Sequence, residues 1–366
     1  TQVNLLLLLS VYALWGFVRR NALGRKWLVL AGTAAGLMLL TRYDAVIFLP
    51  ALSAFLLVFR LRHREARPAL GDVLIFGAAV LPWMAAILVW NDLRFGSPFL
   101  TGLKEQTFGE PFLSGLLGLL VSPGKGIVWY VPLIFLLPWC VRGFYRRAPY
   151  FAALSLVLTV LPLAFYSNVV FWHGDPAWGP RYLYTAVPYL VLPLGEILTT
   201  WMRRARALRL TLLLLVVSSF LVQLSAITVT PWRFWYRIEA IEQRTRQPFH
   251  WGARRYHYYW DVRQSPLLIQ PDNVYQVIRL KLGEKRYELR VHPGPPGVSN
   301  PADKYPINAF AFWWLDPRHP IFGSRTRGGL AALLGFIAIS SLLFVVLELR
   351  KKGEHGGVTA TTSVSG

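Results

Sequence analysis

The chain has 366 residues, of which 54% are hydrophobic and only 16% charged, and its mean hydropathy of +0.41 is too high for one water-soluble globule. Its net charge of +21 sits largely in arginine clusters between apolar segments, which is a membrane-topology signal and not a nucleic-acid surface. The single cysteine, Cys140, excludes an intrachain disulfide and a cysteine metal cluster. Residue 1 is Thr, with neither an initiator Met nor a signal-peptide layout behind it, so the chain is expected to begin partway through a longer protein.

Apolar runs near 3–18, 22–40, 45–59, 71–90, 126–142, 149–170, 183–201, 208–228 and 329–349 predict about nine transmembrane helices, each judged against the ~20 residues that a crossing needs. Basic groups occupy alternate connections: Arg19 to Lys26, Arg60 to Arg67, Arg142 to Arg147, Arg203 to Arg209, and Arg350 to Lys352. The positive-inside rule puts these in the cytoplasm. The loops at 41–44, 91–125 and 171–181 and the stretch 229–328 are then external.

The first external loop is Thr41-Arg42-Tyr43-Asp44. An Arg and an acid at the hydrocarbon edge are costly unless paired or wet, so they form an interfacial ion pair or meet a substrate. The second loop carries Lys104, Glu105 and Glu110, then an apolar stretch from Leu113 to Val121 that is too short to span and reads as an amphipathic or re-entrant helix. It ends at Ser122-Pro-Gly-Lys125-Gly126, which lacks the residues of a P-loop. This turn either presents N–H groups and an ammonium to an anion or places Lys125 among lipid headgroups.

The third loop, Phe171 to Arg181, holds Trp172, His173, Asp175 and Trp178 before Arg181-Tyr182. Arg grips phosphate through two parallel hydrogen bonds, and the tryptophans either stack on a sugar or anchor helices at the interface. The histidines show no metal-ligand spacing. From 229 to 328 the composition becomes that of a small mixed α/β external domain, with a helix around Trp235 to Arg244 and a β-hairpin expected over Val277 to Val291. A hydrophobic lip at Phe310 to Leu315, a last helix at 329–349 and a disordered tail at 350–366 complete the reading.

Taken in order, Thr41-Arg-x-Asp44, Arg94-Phe-Gly-Ser-Pro-Phe99, Ser122-Pro-Gly-Lys-Gly126, Trp172-His-Gly with Trp178-Gly-Pro-Arg-Tyr182, and Trp313-Trp314 resemble bacterial phospholipid-carrier-dependent glycosyltransferases of the GT-C superfamily, a group that includes protein mannosyltransferases and the aminoarabinose transferase of lipid A. The resemblance implies an all-α polytopic membrane protein with a GT-C-like helix bundle in a bacterial inner membrane. Its partners would be a polyprenyl-phosphate sugar donor and a glycan, lipid or protein acceptor at the periplasmic or outer face, with inverting transfer between them. Arg181, Lys125, Arg42 and Lys104 are carried over as contacts to the donor phosphate. His173, Trp172, Trp178 and Tyr182 are candidate contacts to sugar or acceptor. The family's catalytic acid lies in a loop that no segment here supplies, which leaves Asp175, Asp44 and Glu105 as candidates. No cofactor is identified, and a divalent ion is left open.

In displacement at an anomeric carbon the leaving phosphate needs cations more than a proton donor, and cations are what these loops supply. Two other classes stand beside the enzyme: a lipid or sugar transporter, and a membrane protein that binds polyprenyl phosphate without turnover. A transporter is expected to carry ionisable groups at mid-membrane, whereas here the interior acids are missing and the polar groups sit at one face.

Overall fold

The computed structural model describes residues 2–19, 24–63, 66–101, 108–174, 177–199, 206–245, 259–289 and 307–311, with Phe336 and Ser340. The helices are α1 (Gln2–Arg19), α2 (Arg25–Thr41), α3 (Phe48–Arg62), α4 (Ala66–Phe95), α5 (Phe112–Val121), α6 (Ile127–Tyr130), α7 (Val141–Arg147), α8 (Pro149–Tyr166), α9 (Val187–Val191), α10 (Gly195–Thr199), α11 (Arg206–Thr228), α12 (Pro231–Thr245) and α13 (Pro266–Lys281). Among the described residues there is no strand, only isolated bridges at Phe108–Val169 and Val229–Phe310.

Among the described residues five helical segments are long and apolar enough to cross a membrane: Gln2–Arg19, Tyr43–Arg62, Ala69–Phe95, Pro149–Tyr166 and Arg206–Thr228. Two of the runs expected as spans are broken for a chemical reason. Pro132 and Pro138 break the run at 126–142 into α6, a 3-10 helix and α7, and Pro188 and Pro193 break the run at 183–201 into short helical pieces. α2 is continuous but has 17 residues, about 25 Å of helix. The run at 329–349, apart from Phe336 and Ser340, and the tail lie outside the described residues. The lipid-like exterior is clearest on α4 and α11, where Leu74, Leu81, Leu93, Leu213, Leu214 and Phe220 are all exposed. Such uninterrupted apolar faces suit hydrocarbon and not water.

The described residues form two compact units, one within Thr1–Thr199, Leu212–Ser219 and His250–Ser265, the other within Thr200–Thr211, Phe220–Phe249 and Pro266–Gly366. The domain expected at 229–328 is thus interrupted, because the segment from Tyr259 to Ser265 belongs with the first unit.

In the first unit α1, α2, α3, α4 and α8 enclose a core of Leu7, Leu14, Phe17, Met38, Leu52 and Leu158, all fully buried. The Ser10 hydroxyl donates to Ala31 O at 3.0 Å and ties α1 to α2. On α2, Gly32 lies against the Phe76 carbonyl and Gly36 against the Trp83 ring, so the small-xxx-small pair lets α2 and α4 approach closely. Arg60 Nε donates to Asp72 Oδ2 at 2.6 Å, and both side chains are at least nine-tenths buried. Asp72 stands near the start of its span, Ala69–Phe95, and so at an end of the segment and not at its middle.

α5 is helical as expected and short. A Cβ at Gly115 would fall on the backbone oxygen of Ser167, and one at Gly118 on the Trp172 ring. Because backbone cannot step aside as a rotamer does, Gly115→Ala is expected to lower stability by about 1–3 kcal/mol. Thermal unfolding of the detergent-solubilised protein checks this.

The second unit packs α12 against α13 around a buried arginine. Arg233 is 0% exposed and donates to Ile307 O (3.1 Å), Asn308 Oδ1 (2.6 Å), Gln276 Oε1 (3.0 Å) and Tyr287 O (2.9 Å). Burial, with Arg237 adding to it and Asp272 opposing, pushes the Arg233 guanidinium down to about 10. Arg233→Met would strand four acceptors at once. The expected loss is at least about 3 kcal/mol, read as early unfolding of this unit by amide exchange.

The hairpin expected from Val277 to Val291 does not form. Pro266, Ile269, Gln270, Asn273 and Val277 are buried at helical spacing, and α13 runs to Lys281. It ends in a Schellman motif: Gly283 at φ +100° donates to Leu280 O, and Glu284 N donates to Arg279 O. The alternation of apolar residues across this end matched a strand pattern, but Gly283 is a helix stop.

Candidate functional site

Three lengths of chain meet at one end of the first unit. α2 stops at Thr41, and Arg42 is extended before the 3-10 turn Tyr43–Ile47 leads into α3. The last turn of α4 brings Trp90 and Arg94, and Pro180 starts a second 3-10 turn, Arg181–Thr185. These lengths line a cavity of about 500 Å³ bounded by Leu40, Thr41, Arg42, Tyr43, Asp44, Trp90, Arg94, Arg181 and Tyr182.

Arg42 is held firmly. Its Nε donates to Asp44 Oδ1 at 3.0 Å and its Nη2 to Asp44 Oδ2 and to the Tyr166 hydroxyl, the latter at 3.0 Å. The Tyr166 hydroxyl in turn donates to Asp44 Oδ2. Burial pulls the Arg42 guanidinium down, but the hydrogen bond to Asp44 and the Asp44 charge, with Tyr166 and Tyr182 beside it, outweigh this, and the net shift is upward. Arg42 is a permanent cation. Asp44 is the single acid on the cavity wall among the described residues, and both its oxygens are engaged in orienting Arg42 and Tyr166.

Tyr182 stacks on Tyr166 with ring centroids 4.4 Å apart and 15° between planes. The guanidinium groups of Arg42 and Arg181 lie 5.6 Å and 5.0 Å from the Tyr182 ring. Arg181 Nη2 also donates to the Tyr182 hydroxyl at 3.2 Å. Gly174, at φ +59°, lies against Arg181, and a Cβ there would come within 2.9 Å of Arg181 Cγ and Nε. Among the described residues no carboxylate is within ion-pair distance of Arg181 or Arg94. Among the described residues the cavity therefore carries two cations without a carboxylate partner beside one that is paired, an arrangement suited to an anion with several oxygens.

Of the predicted phosphate contacts, Arg42 and Arg181 come together here and Arg94 joins them. Arg94 stood in a quoted motif without an assigned role; its place at the end of a long apolar run was the available signal. Lys125 does not join. It is 1% exposed, its Nζ donates to Ala177 O at 2.6 Å, and the ammonium lies 5.3 Å from the Tyr259 ring. The N–H groups of Gly124, Lys125 and Gly126 are spent on Tyr259 O, on Ser122 O and Oγ, and on Ser122 O. The turn is consequently neither an open anion nest nor a headgroup anchor.

The aromatic residues of the third loop also differ from expectation. Trp172 and His173 are fully buried, Trp172 against Gly118 and His173 against Tyr259, so neither is an exposed platform or an interfacial anchor. Trp178 packs edge-on to Tyr130 at 5.3 Å. Tyr182 alone of the four borders the cavity. Asp175, Lys104 and Glu105 lie outside the described residues. Among the described residues no three His, Cys, Asp or Glu side chains gather as a metal site.

The Arg60–Asp72 pair marks the opposite end of the bundle, since Asp72 and Arg94 are separated along α4 by about 33 Å at 1.5 Å per residue. Comparisons of the chain with protein-family models, curated proteins and solved structures find no match in any of the three.

Proposed function

We propose that the chain binds the phosphate of a polyprenyl-phosphate-linked sugar and serves as a membrane glycosyltransferase of the GT-C type, working at the periplasmic or outer face of a bacterial inner membrane. The observation that supports this most is the convergence of Arg42, Arg94 and Arg181 on one cavity at the ends of apolar helices. A phosphate there exchanges hydration for charge-assisted hydrogen bonds from guanidinium groups. In the transfer, the bond from the anomeric carbon to the phosphate oxygen breaks as the acceptor oxygen attacks from the opposite face. The three cations take up the charge that develops on the leaving phosphate. The acceptor's proton goes to a carboxylate, for which Asp175, Asp44 and Glu105 are the candidates.

A second reading, binding of polyprenyl phosphate without turnover, draws support from Asp44, whose oxygens are both committed to Arg42 and Tyr166. The experiment is transfer from a polyprenyl-phosphate sugar by the full-length protein with Arg181→Ala. Loss of transfer is expected. Transfer at the normal rate would place the donor elsewhere.

A further inference from the structure

We infer that Tyr259 is a positioning residue for the cavity, setting Arg181 through the loop that precedes it. The inference rests on the proposed role of Arg181 but is argued from contacts that need no ligand.

Tyr259 begins a short stretch, Tyr259 to Ser265, that returns to the first unit from far along the chain. It is fully buried. Its hydroxyl is hydrogen-bonded to His173 Nδ1 at 3.1 Å, and its ring lies 4.9 Å from the imidazole and 5.9 Å from Trp172. Its backbone oxygen accepts from Gly124 N at 2.9 Å, and a Cβ on Gly124 would come within 2.7 Å of its ring. At the other end of the stretch the Ser265 hydroxyl donates to Pro123 O at 2.6 Å. The segment is therefore pinned on both sides of Pro123-Gly124.

The same ring grips the third loop at two points. Through its hydroxyl it fixes His173, whose neighbour Gly174 is the wall against which Arg181 Cγ and Nε lie. Beneath its face sits the ammonium of Lys125, which donates to Ala177 O. The loop leading to Arg181 is held at His173 and at Ala177, with Tyr259 common to both holds. This also assigns a role to the Gly-Lys-Gly turn and to His173: they transmit the position of a downstream segment to a guanidinium that none of them touches.

The test uses the full chain in detergent and compares wild type with Tyr259→Phe, which keeps the ring and loses the hydroxyl. The first readout is residue-resolved modification of arginines by phenylglyoxal without ligand. Arg181 is expected to react about fivefold faster in the variant, the factor that one lost buried hydrogen bond corresponds to. Arg94, on another helix, is expected to react at an unchanged rate. The second readout is affinity for farnesyl phosphate in a double-mutant cycle, where Tyr259→Phe should weaken binding in wild type and have no further effect on Arg181→Ala, while remaining additive with Arg94→Ala.

Unchanged Arg181 reactivity would overturn the inference. So would equal acceleration at Arg94 and Arg181, which is the mark of general loosening. If wild type fails to bind farnesyl phosphate while Arg181 still reacts selectively faster, the proposed function fails and the positioning role stands. Should Tyr259→Phe unfold, Ser265→Ala loosens the other pin, and selective acceleration at Arg181 carries the same meaning.

Discussion

Arg181→Ala in the full-length protein is expected to reduce transfer from a polyprenyl-phosphate sugar by about a hundredfold or more, the scale of removing one group that stabilises developing negative charge. Arg181→Lys should recover only part of this, because an ammonium restores the charge without the two parallel bonds of a guanidinium. The two variants separate geometry from charge. Arg181 lies 5.0 Å from the Tyr182 ring, and among the described residues no carboxylate is within ion-pair distance of it, Asp44 on the same cavity wall being paired with Arg42. A fall in activity therefore reports the lost ligand contact and not collapse of an ion pair. Steady-state transfer rates, with folding monitored by thermal unfolding, provide the check.

The largest effect on stability is expected at the other end of the bundle. Arg60→Ala leaves the buried carboxylate of Asp72 without its guanidinium, and breaking such a pair from one side costs about 3–5 kcal/mol. Replacing both partners at once, Arg60→Met with Asp72→Leu, removes the stranded charge and should cost far less. Arg60 also lies 5.4 Å from the Phe17 ring, so the pair joins α3 and α4 beside α1. Thermal unfolding in detergent distinguishes the cases: a single variant close to wild type would mean that water reaches Asp72.

Helix periodicity and length made much of the architecture readable in the sequence. Gln2–Arg19, Tyr43–Arg62, Ala69–Phe95, Pro149–Tyr166 and Arg206–Thr228 all lie close to the apolar runs identified from residue type alone. Breakage at Pro132, Pro138, Pro188 and Pro193 was less legible, since hydropathy averages over a window and a proline's missing N–H does not lower it. The hairpin expected near Gly283 shows a related limit. A glycine between apolar residues marks a strand turn or a helix end, and the tertiary burial of Ile269, Asn273 and Val277 decides for the helix.

At the cavity, Arg42 and Arg181 were legible because an arginine beside a long apolar run is costly to keep without a purpose. Their partners were not. Tyr166 lies more than a hundred residues from Arg42 in sequence, and nothing in its local context distinguishes it from an interfacial tyrosine. Lys125 illustrates the reverse error: a glycine-flanked lysine resembles an anion site, and only the distant Tyr259 and Ala177 show that it is structural. Pairwise chemistry across long chain separations is invisible to composition and spacing.

The most direct measurement is equilibrium binding of a polyprenyl phosphate and of the corresponding polyprenol to the full-length protein in lipid nanodiscs. Two arginines with no carboxylate partner among the described residues and one oriented arginine should favour the phosphate by at least about tenfold, since charge-assisted hydrogen bonds contribute about 1.5–3 kcal/mol each. That preference should shrink when Arg42, Arg94 or Arg181 is replaced by Ala. Equal affinity for the phosphate and the alcohol, or a preference that survives all three replacements, would contradict the account.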